Sequence, residues 1–284
     1  MIPLLDTHQH LVYPDQQTYA WMETAPALRG RPFTLGDYRA LVAGAGVAGT
    51  IFMEVDAVDY RGEARMIARL AGDPASRILG QIASCRPETD AGFEAWLDEG
   101  ASLGVVGYRR ILHETSDDVS RSETFRANVR AIGTRDLPFD MCFLARQLPI
   151  AVELARACPD TRLVMDHCGV PDIAGGAWDS WRAGVRALAA EPNVVAKLSG
   201  VFAYVAPGEA SLATVRPWVE EVIAAFGPDR CLWGSDWPVC TVKGGTLPDW
   251  LAAFRSILAG YSAAEQAAMA HATAEAVYRV RLPA

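Results

Sequence analysis

With 284 residues, 51% of them hydrophobic, the chain is large enough for one sizeable core, and its net charge of −8 comes with no basic block to hold nucleic acid or an anionic membrane surface. No apolar run is long enough to cross a bilayer, and no signal peptide precedes the first apolar run. The six cysteines (Cys85, Cys142, Cys158, Cys168, Cys231 and Cys240) form no Cys-x-x-Cys pair and sit mostly in apolar stretches, which fits free thiols in a reducing, cytoplasmic setting rather than a disulfide framework.

Short apolar runs alternate with amphipathic stretches from end to end. The first run, residues 3–10, contains Leu4-Leu5-Asp6-Thr7-His8-Gln9-His10. Alternate side chains of a strand share a face, so His8 and His10 are expected side by side with Asp6 beneath them. Two adjacent imidazoles can grip a divalent cation or polarise a carbonyl. A long loop with Tyr13, Tyr19, Trp21 and Met22 follows, after which Thr34, with Asp37 three residues on, predicts a capped helix start. The second run is 48–55 and carries Glu54; a helix is expected near 60–71. The third is 78–85, with a helix near 91–102. The fourth, 105–111, carries Arg109 and Arg110 and leads through a polar loop with His113 to a helix near 121–132.

The fifth run, 138–144, precedes Ile150, Val152, Leu154 and Ala155, which recur at a helical period. The sixth, 162–167, ends at His167 before a loop with glycine and proline and a helix near 178–190. The seventh, 194–199, carries Lys197 and Ser199 and is followed by a helix around 211–226. The eighth, 230–236, ends at Asp236, and helices near 248–258 and 262–278 close the chain.

About eight strand–helix units predict an α/β fold, a (β/α)8 TIM barrel, forming one domain over residues 1–284. Continuous apolar strands between helices suit a parallel sheet buried on both faces. A doubly wound open sheet is the alternative, lowered by the lack of a glycine-rich dinucleotide fingerprint after any early strand. A TIM barrel carries its active site at the C-terminal ends of the strands. Ionisable side chains recur there: His8 and His10, Glu54, Arg109 with His113 just beyond, His167, Lys197, and Asp236. Each has a plainer alternative. Glu54 can be a solvent-facing carboxylate, Lys197 a rim ion pair, His113 a surface residue and Trp21 simple packing. An inward Arg109 needs a carboxylate, from the protein or from a substrate.

Taken together the motifs resemble the amidohydrolase superfamily, in the amidohydrolase 2 branch that holds sugar lactonases and dicarboxylate lactonases. The carriers are Asp6-Thr7-His8-Gln9-His10, Gly107-Tyr108-Arg109, Arg146-Gln147-Leu148-Pro149, Met165-Asp166-His167-Cys168-Gly169, Lys197-Leu198-Ser199-Gly200 and Gly234-Ser235-Asp236-Trp237-Pro238. They follow the family's order and cover nearly the whole chain. The resemblance implies a barrel with Asp236 as general base, His8, His10 and His167 lining the site, and Arg109 on the substrate. It departs from two-metal members: the fourth strand offers Arg109, not a carboxylated lysine or glutamate, and the fifth offers Asp140 and Cys142 but no histidine. One Zn2+ or other divalent cation at most is expected, on His8 and His10 with help from Glu54, His167 or Asp236. Metal-independent lactonases of this branch keep the other alternative open. Val170 also stands where relatives often have lysine.

The expected function is therefore a hydrolase opening the lactone ring of a sugar acid, a carboxylic ester hydrolase of carbohydrate metabolism. Asp236 would activate water against a ring carbonyl polarised by His8, His10, His167 or one metal, with Arg109, Glu54, His113, Lys197 and Trp21 as candidate substrate contacts. The rivals are a zinc-dependent decarboxylase or amide hydrolase on the same frame, and a non-catalytic barrel that binds a sugar acid. The expected partner is a small-molecule lactone, and a homo-oligomer is compatible with the sequence.

Overall fold

A computed structural model describes residues 1–283. Among these residues eight parallel strands follow one another around the sheet in sequence order. They are β1 (Leu4–Gln9), β2 (Val47–Met53), β3 (Ile78–Ser84), β4 (Val105–Ile111), β5 (Phe139–Cys142), β6 (Leu163–Met165), β7 (Val194–Leu198) and β8 (Cys231–Trp233). The chain beyond β8 returns to β1: the Asp236 amide donates to the His8 carbonyl at 2.7 Å and the His10 amide to the Trp237 carbonyl at 2.8 Å. This closes the (β/α)8 barrel that the alternation predicted.

The helices wrap the outside: α1 (Leu35–Val42), α2 (Tyr60–Ala71), α3 (Phe93–Ser102), α4 (Glu123–Thr134), α5 (Leu148–Ala157), α6 (Trp178–Ala189), α7 (Leu212–Phe226) and α8 (Leu247–Leu258). The expected capping box opens α1, with Thr34 accepting from the Asp37 amide and Asp37 accepting from the Thr34 amide. Two apolar layers explain why the strands read as continuous apolar runs. Leu5, Ile51, Met53, Ile82, Val164, Val195 and Leu232 fill the barrel interior. Leu4, Phe52, Ala83, Tyr108, Phe139 and Trp233 pack outward in the larger core shared with the helices. The closing helix expected over 262–278 is α9 (Ala263–Ala267), a π turn at Ala268–Ala272 and α10 (Thr273–Tyr278). Ala274, Tyr278 and Val280 insert into the barrel interior, and α10 shares a cavity wall with Pro138, Arg162 and Arg230, which precede β5, β6 and β8. The last helix thus plugs the N-terminal end and leaves the opposite mouth for chemistry.

Two expectations are corrected. Asp6 does not lie beneath the histidines. The pleat is broken by a register shift between Asp6 and Gln9, so Leu5 and His8 both point inward while Asp6 turns out towards α1. There its carboxylate accepts from the Tyr38 hydroxyl at 2.6 Å and from the Ser235 amide at 2.8 Å. The late strands are also shorter than their apolar runs. β6 stops before Asp166 and β8 before Gly234, because His167 (φ 54°) and Asp236 (φ 56°) take left-handed backbone that cannot continue a ladder.

Candidate active site

The mouth of the barrel gathers side chains from strand ends far apart in sequence. His8 and His10 come from β1, Glu54 from just after β2, Arg109 from β4, Asp166 and His167 from after β6, Lys197 from β7 and Asp236 from after β8. All are buried. Two close approaches make the gathering feasible. A Cβ on Gly234 would meet the His8 Cβ at 2.6 Å, and a Cβ on Gly200 (φ +69°) would meet the His167 Nδ1 at 2.5 Å. Glycine at both positions lets β8 and β7 bring their loops against the imidazoles.

The hydrogen-bond partners fix the tautomers. His10 Nδ1 lies 3.0 Å from the Met53 carbonyl oxygen, which only accepts, so Nδ1 carries a proton, and Nε2 lies 3.4 Å from Asp236 Oδ1. Arg109 Nη1, which only donates, lies 3.3 Å from His8 Nε2. The His8 proton therefore sits on Nδ1, 3.5 Å from Asp166 Oδ1. Burial, helped by His167 and Lys197 nearby, holds His8 well below the ordinary imidazole range and keeps the ring neutral. Burial also lowers His167, whose Nδ1 lies 3.0 Å from Ser199 Oγ.

Both carboxylate oxygens of Asp236 are buried without a hydrogen-bond partner among the described residues, as are both of Asp166. But Asp166 has Lys197 at 3.2 Å and Arg109 at 3.6 Å, whereas the ion-pair partners of Asp236 are imidazoles alone. Oδ1 faces two imidazole nitrogens, His8 Nε2 at 3.7 Å and His10 Nε2 at 3.4 Å. A buried carboxylate without a donor calls for something positive or protic beside it. This donor set fits a divalent cation: one atom from each of His8, His10 and Asp236 lies within 4.8 Å of the others, as does one from each of His8, Asp166 and His167. Glu54 belongs to neither group. Arg109 Nη1 competes for one donor, the lone pair on His8 Nε2.

Arg109 is committed elsewhere. Its Nε donates to Glu54 Oε1 at 2.6 Å, its Nη2 to the Glu54 carbonyl at 2.7 Å, and its Nη1 lies 3.6 Å from Asp166 Oδ2. Burial alone would raise Glu54, but Arg109 and the Asp56 amide hold it below the usual carboxylate range. Lys197 is fully buried and outside the cavity wall. It donates to Asp140, which also accepts from the Tyr278 hydroxyl at 2.9 Å, and lies 3.2 Å from Asp166 Oδ1. Against burial, Lys197 and His8 keep Asp166 well below its ordinary value. Asp140 is pushed up to about 7 by burial, which outweighs the pull of Lys197.

Above these groups opens a cavity of about 290 Å³. His10, Arg109, His167 and Asp236 reach it from the barrel, and Trp21 and His113 from the loops. Trp21 donates through Nε1 to the Val55 carbonyl at 2.7 Å. His113 is lowered by burial and held at both nitrogens, Nδ1 3.3 Å from Cys142 Sγ and Nε2 3.4 Å from Glu114. Of the expected contacts, Glu54 and Lys197 therefore lie behind the wall and support it. Asp166, to which sequence reading gave no role, ties Lys197, Arg109 and His8 together; the signal was present, an acid ending the buried run Leu163-Val164-Met165. Tyr204 and Val170 also line the cavity; nothing in the local sequence marked Tyr204, and Val170 stood out only as a departure from the lysine that relatives often carry. After β6 the backbone makes a left-handed turn through His167, Cys168 (φ 55°), Gly169 and Val170 (φ 48°). Each non-glycine residue there costs about 1–2 kcal/mol, and Trp181 Nε1 steadies the turn by donating to the Cys168 carbonyl at 2.8 Å.

Comparison with known proteins gives a family model described as Amidohydrolase, which matches residues 5–280. A protein named L-fucono-1,5-lactonase from Burkholderia ambifaria is 31% identical over 263 residues, covering 87% of this chain and 85% of its own. Another of the same name from Burkholderia multivorans is 28% identical over 293 residues, 99% of this chain and 97% of the relative. Among solved structures, an amidohydrolase from Burkholderia multivorans with bound zinc superposes with a TM-score of 0.89 at 23% identity, covering 98% of this chain and all (100%) of the other.

Proposed function

The chain belongs to the amidohydrolase family, and on that premise we propose that it hydrolyses a lactone, with an uncharged sugar-acid lactone as substrate. The observation that carries the reading is the Asp236 carboxylate: buried, without a hydrogen-bond donor among the described residues, and open to the cavity. A merely structural acid at that depth would be paired. The names of the relatives support the choice of a lactone.

Asp236 takes a proton from water, and the water oxygen attacks the ring carbonyl. His167 lines the cavity beside Asp236 and faces the developing negative oxygen. The tetrahedral adduct collapses, the ring C–O bond breaks, and the alkoxide takes the proton from the acid now at position 236, leaving an open hydroxy acid. A divalent cation on His8, His10 and Asp236 would supply Lewis acidity and lower the pKa of water beside them. Lys197 and Asp166 position His8 by fixing which ring nitrogen carries its proton.

Charge favours a neutral substrate over a dicarboxylate lactone. The cavity wall holds Asp56, Glu114 and Asp236, while the guanidinium of Arg109 is already bonded to Glu54. A substrate carboxylate would meet acids and no uncommitted cation among the described lining residues. The test is a lactone panel read by acid release with a pH indicator, run on wild type and Asp236→Asn. Wild type opens neutral aldonolactones, and the variant loses about 100- to 10,000-fold in kcat. Near wild-type turnover by the variant would overturn the role of Asp236.

A further inference from the structure

We propose that Tyr204 is a catalytic residue whose hydroxyl donates a hydrogen bond to the lactone carbonyl oxygen as that oxygen takes on negative charge. The inference rests on the lactonase reading above and adds to it. Tyr204 follows β7 through Gly200 and a single 3-10 turn, Val201–Ala203. Its carbonyl accepts from the Ala174 amide at 3.0 Å, which ties it to the loop after β6. The ring stands edge-on to His167, with centroids 6.3 Å apart. Both side chains thus reach the cavity from neighbouring strand ends.

Most protons around the cavity are already given away. The Trp21 indole N–H goes to Val55, and the Cys142 thiol lies against His113. Arg109 is bonded to Glu54 through Nε and Nη2, and the His10 Nδ1 proton faces Met53. The half-buried Tyr204, by contrast, makes no hydrogen bond through its hydroxyl among the described residues, and that oxygen is not sealed from solvent. A phenol so placed donates to whatever occupies the cavity. Burial, with Cys142, Asp236 and Asp166 nearby, holds it well above the ordinary phenol range, so it keeps its proton. The wall also sets which substrate atom it meets. Asp56, Glu114 and Asp236 accept hydrogen bonds, which suits the hydroxyls of a sugar acid and the attacking water. A carbonyl oxygen can only accept, so those acids repel it and the donor side draws it. In the tetrahedral adduct that oxygen is an anion, and the O–H bond to it strengthens. Tyr204 gives up no proton: the alkoxide is protonated by the acid at position 236.

The experiment uses the full chain and the neutral aldonolactone that wild type opens fastest in the panel above. Tyr204→Phe keeps the ring against His167 and removes only the oxygen. In this variant kcat and kcat/KM are expected to fall together by about 10-fold or more, up to the roughly 1,000-fold that one oxyanion donor can contribute, with KM nearly unchanged. The hydroxyl has no protein partner to lose, so the urea midpoint of the variant holds or rises. A fall in kcat of less than about tenfold overturns the inference. A raised KM at unchanged kcat does so too, because the hydroxyl would then touch only the resting substrate. A clearly lower urea midpoint also overturns it, by showing that the hydroxyl is bonded within the protein. Each of these results leaves the lactonase standing. Silence of wild type across the whole panel overturns the lactonase, and this inference with it.

Discussion

His167 shows at the residue scale how burial decides chemistry. Its ring is held below the ordinary imidazole value of 6.5, first by burial. The unfolded chain therefore accepts a proton there before the folded chain does, and this contribution to stability is full above pH 6.5 and lost as pH falls through 6.5 towards the folded value. Asn at this position tolerates the left-handed backbone and does not titrate. In urea unfolding of chelator-treated protein, the stability gap between wild type and His167→Asn should stay flat above about pH 7.5. Below 6.5 it should shift in the variant's favour by up to about 1.4 kcal/mol per pH unit. A gap indifferent to pH would mean that the ring binds its proton equally well folded and unfolded, contradicting the burial that is held to keep it neutral.

Between elements, the decisive contact is the pairing of Arg109 on β4 with Glu54 after β2, which spans β3. Sequence reading placed an arginine in the mouth and required a carboxylate for it, without telling protein from substrate. The fold supplies the protein's own. Replacing Arg109 by Met leaves Glu54 and Asp166 buried beside a vacant guanidinium site, and it should cost about 3–5 kcal/mol by chemical denaturation. Adding Glu54→Gln should restore part of that loss, because the charge left unpaired is then removed. A loss under about 1 kcal/mol in the single variant would show that solvent reaches Glu54. The register shift in β1 belongs to this scale too. Strict alternation puts Asp6 with the histidines, and only the pairing of β1 with β2 and the chain after β8 reveals the extra residue that turns it to Tyr38.

Across the whole molecule a buried polar chain joins the closed end of the barrel to the open one. Tyr278 on α10 donates to Asp140, Asp140 and Asp166 share Lys197, and Asp166 faces His8. The plug is thereby part of the support for the reactive centre. Tyr278→Phe removes one donor from a fully buried carboxylate and should cost about 1–3 kcal/mol, read as a lower urea midpoint with an unchanged m-value. An unchanged midpoint would show that Asp140 needs no second donor, as when its carboxyl is protonated.

The sequence by itself determined the barrel, because eight apolar runs separated by amphipathic helices have few ways to bury both faces of each strand. It also determined which strand ends carry polar groups, since His8, His10, His167 and Asp236 each terminate an apolar run. Only the tertiary structure decided which of those groups are free to act. Arg109 and Lys197 are neutralised by Glu54, Asp140 and Asp166, while Asp236 is left without a donor. Neutralisation depends on distances of a few ångströms between groups far apart in the chain, 55 residues for Arg109 and Glu54 and 57 for Lys197 and Asp140, and no local pattern encodes such distances.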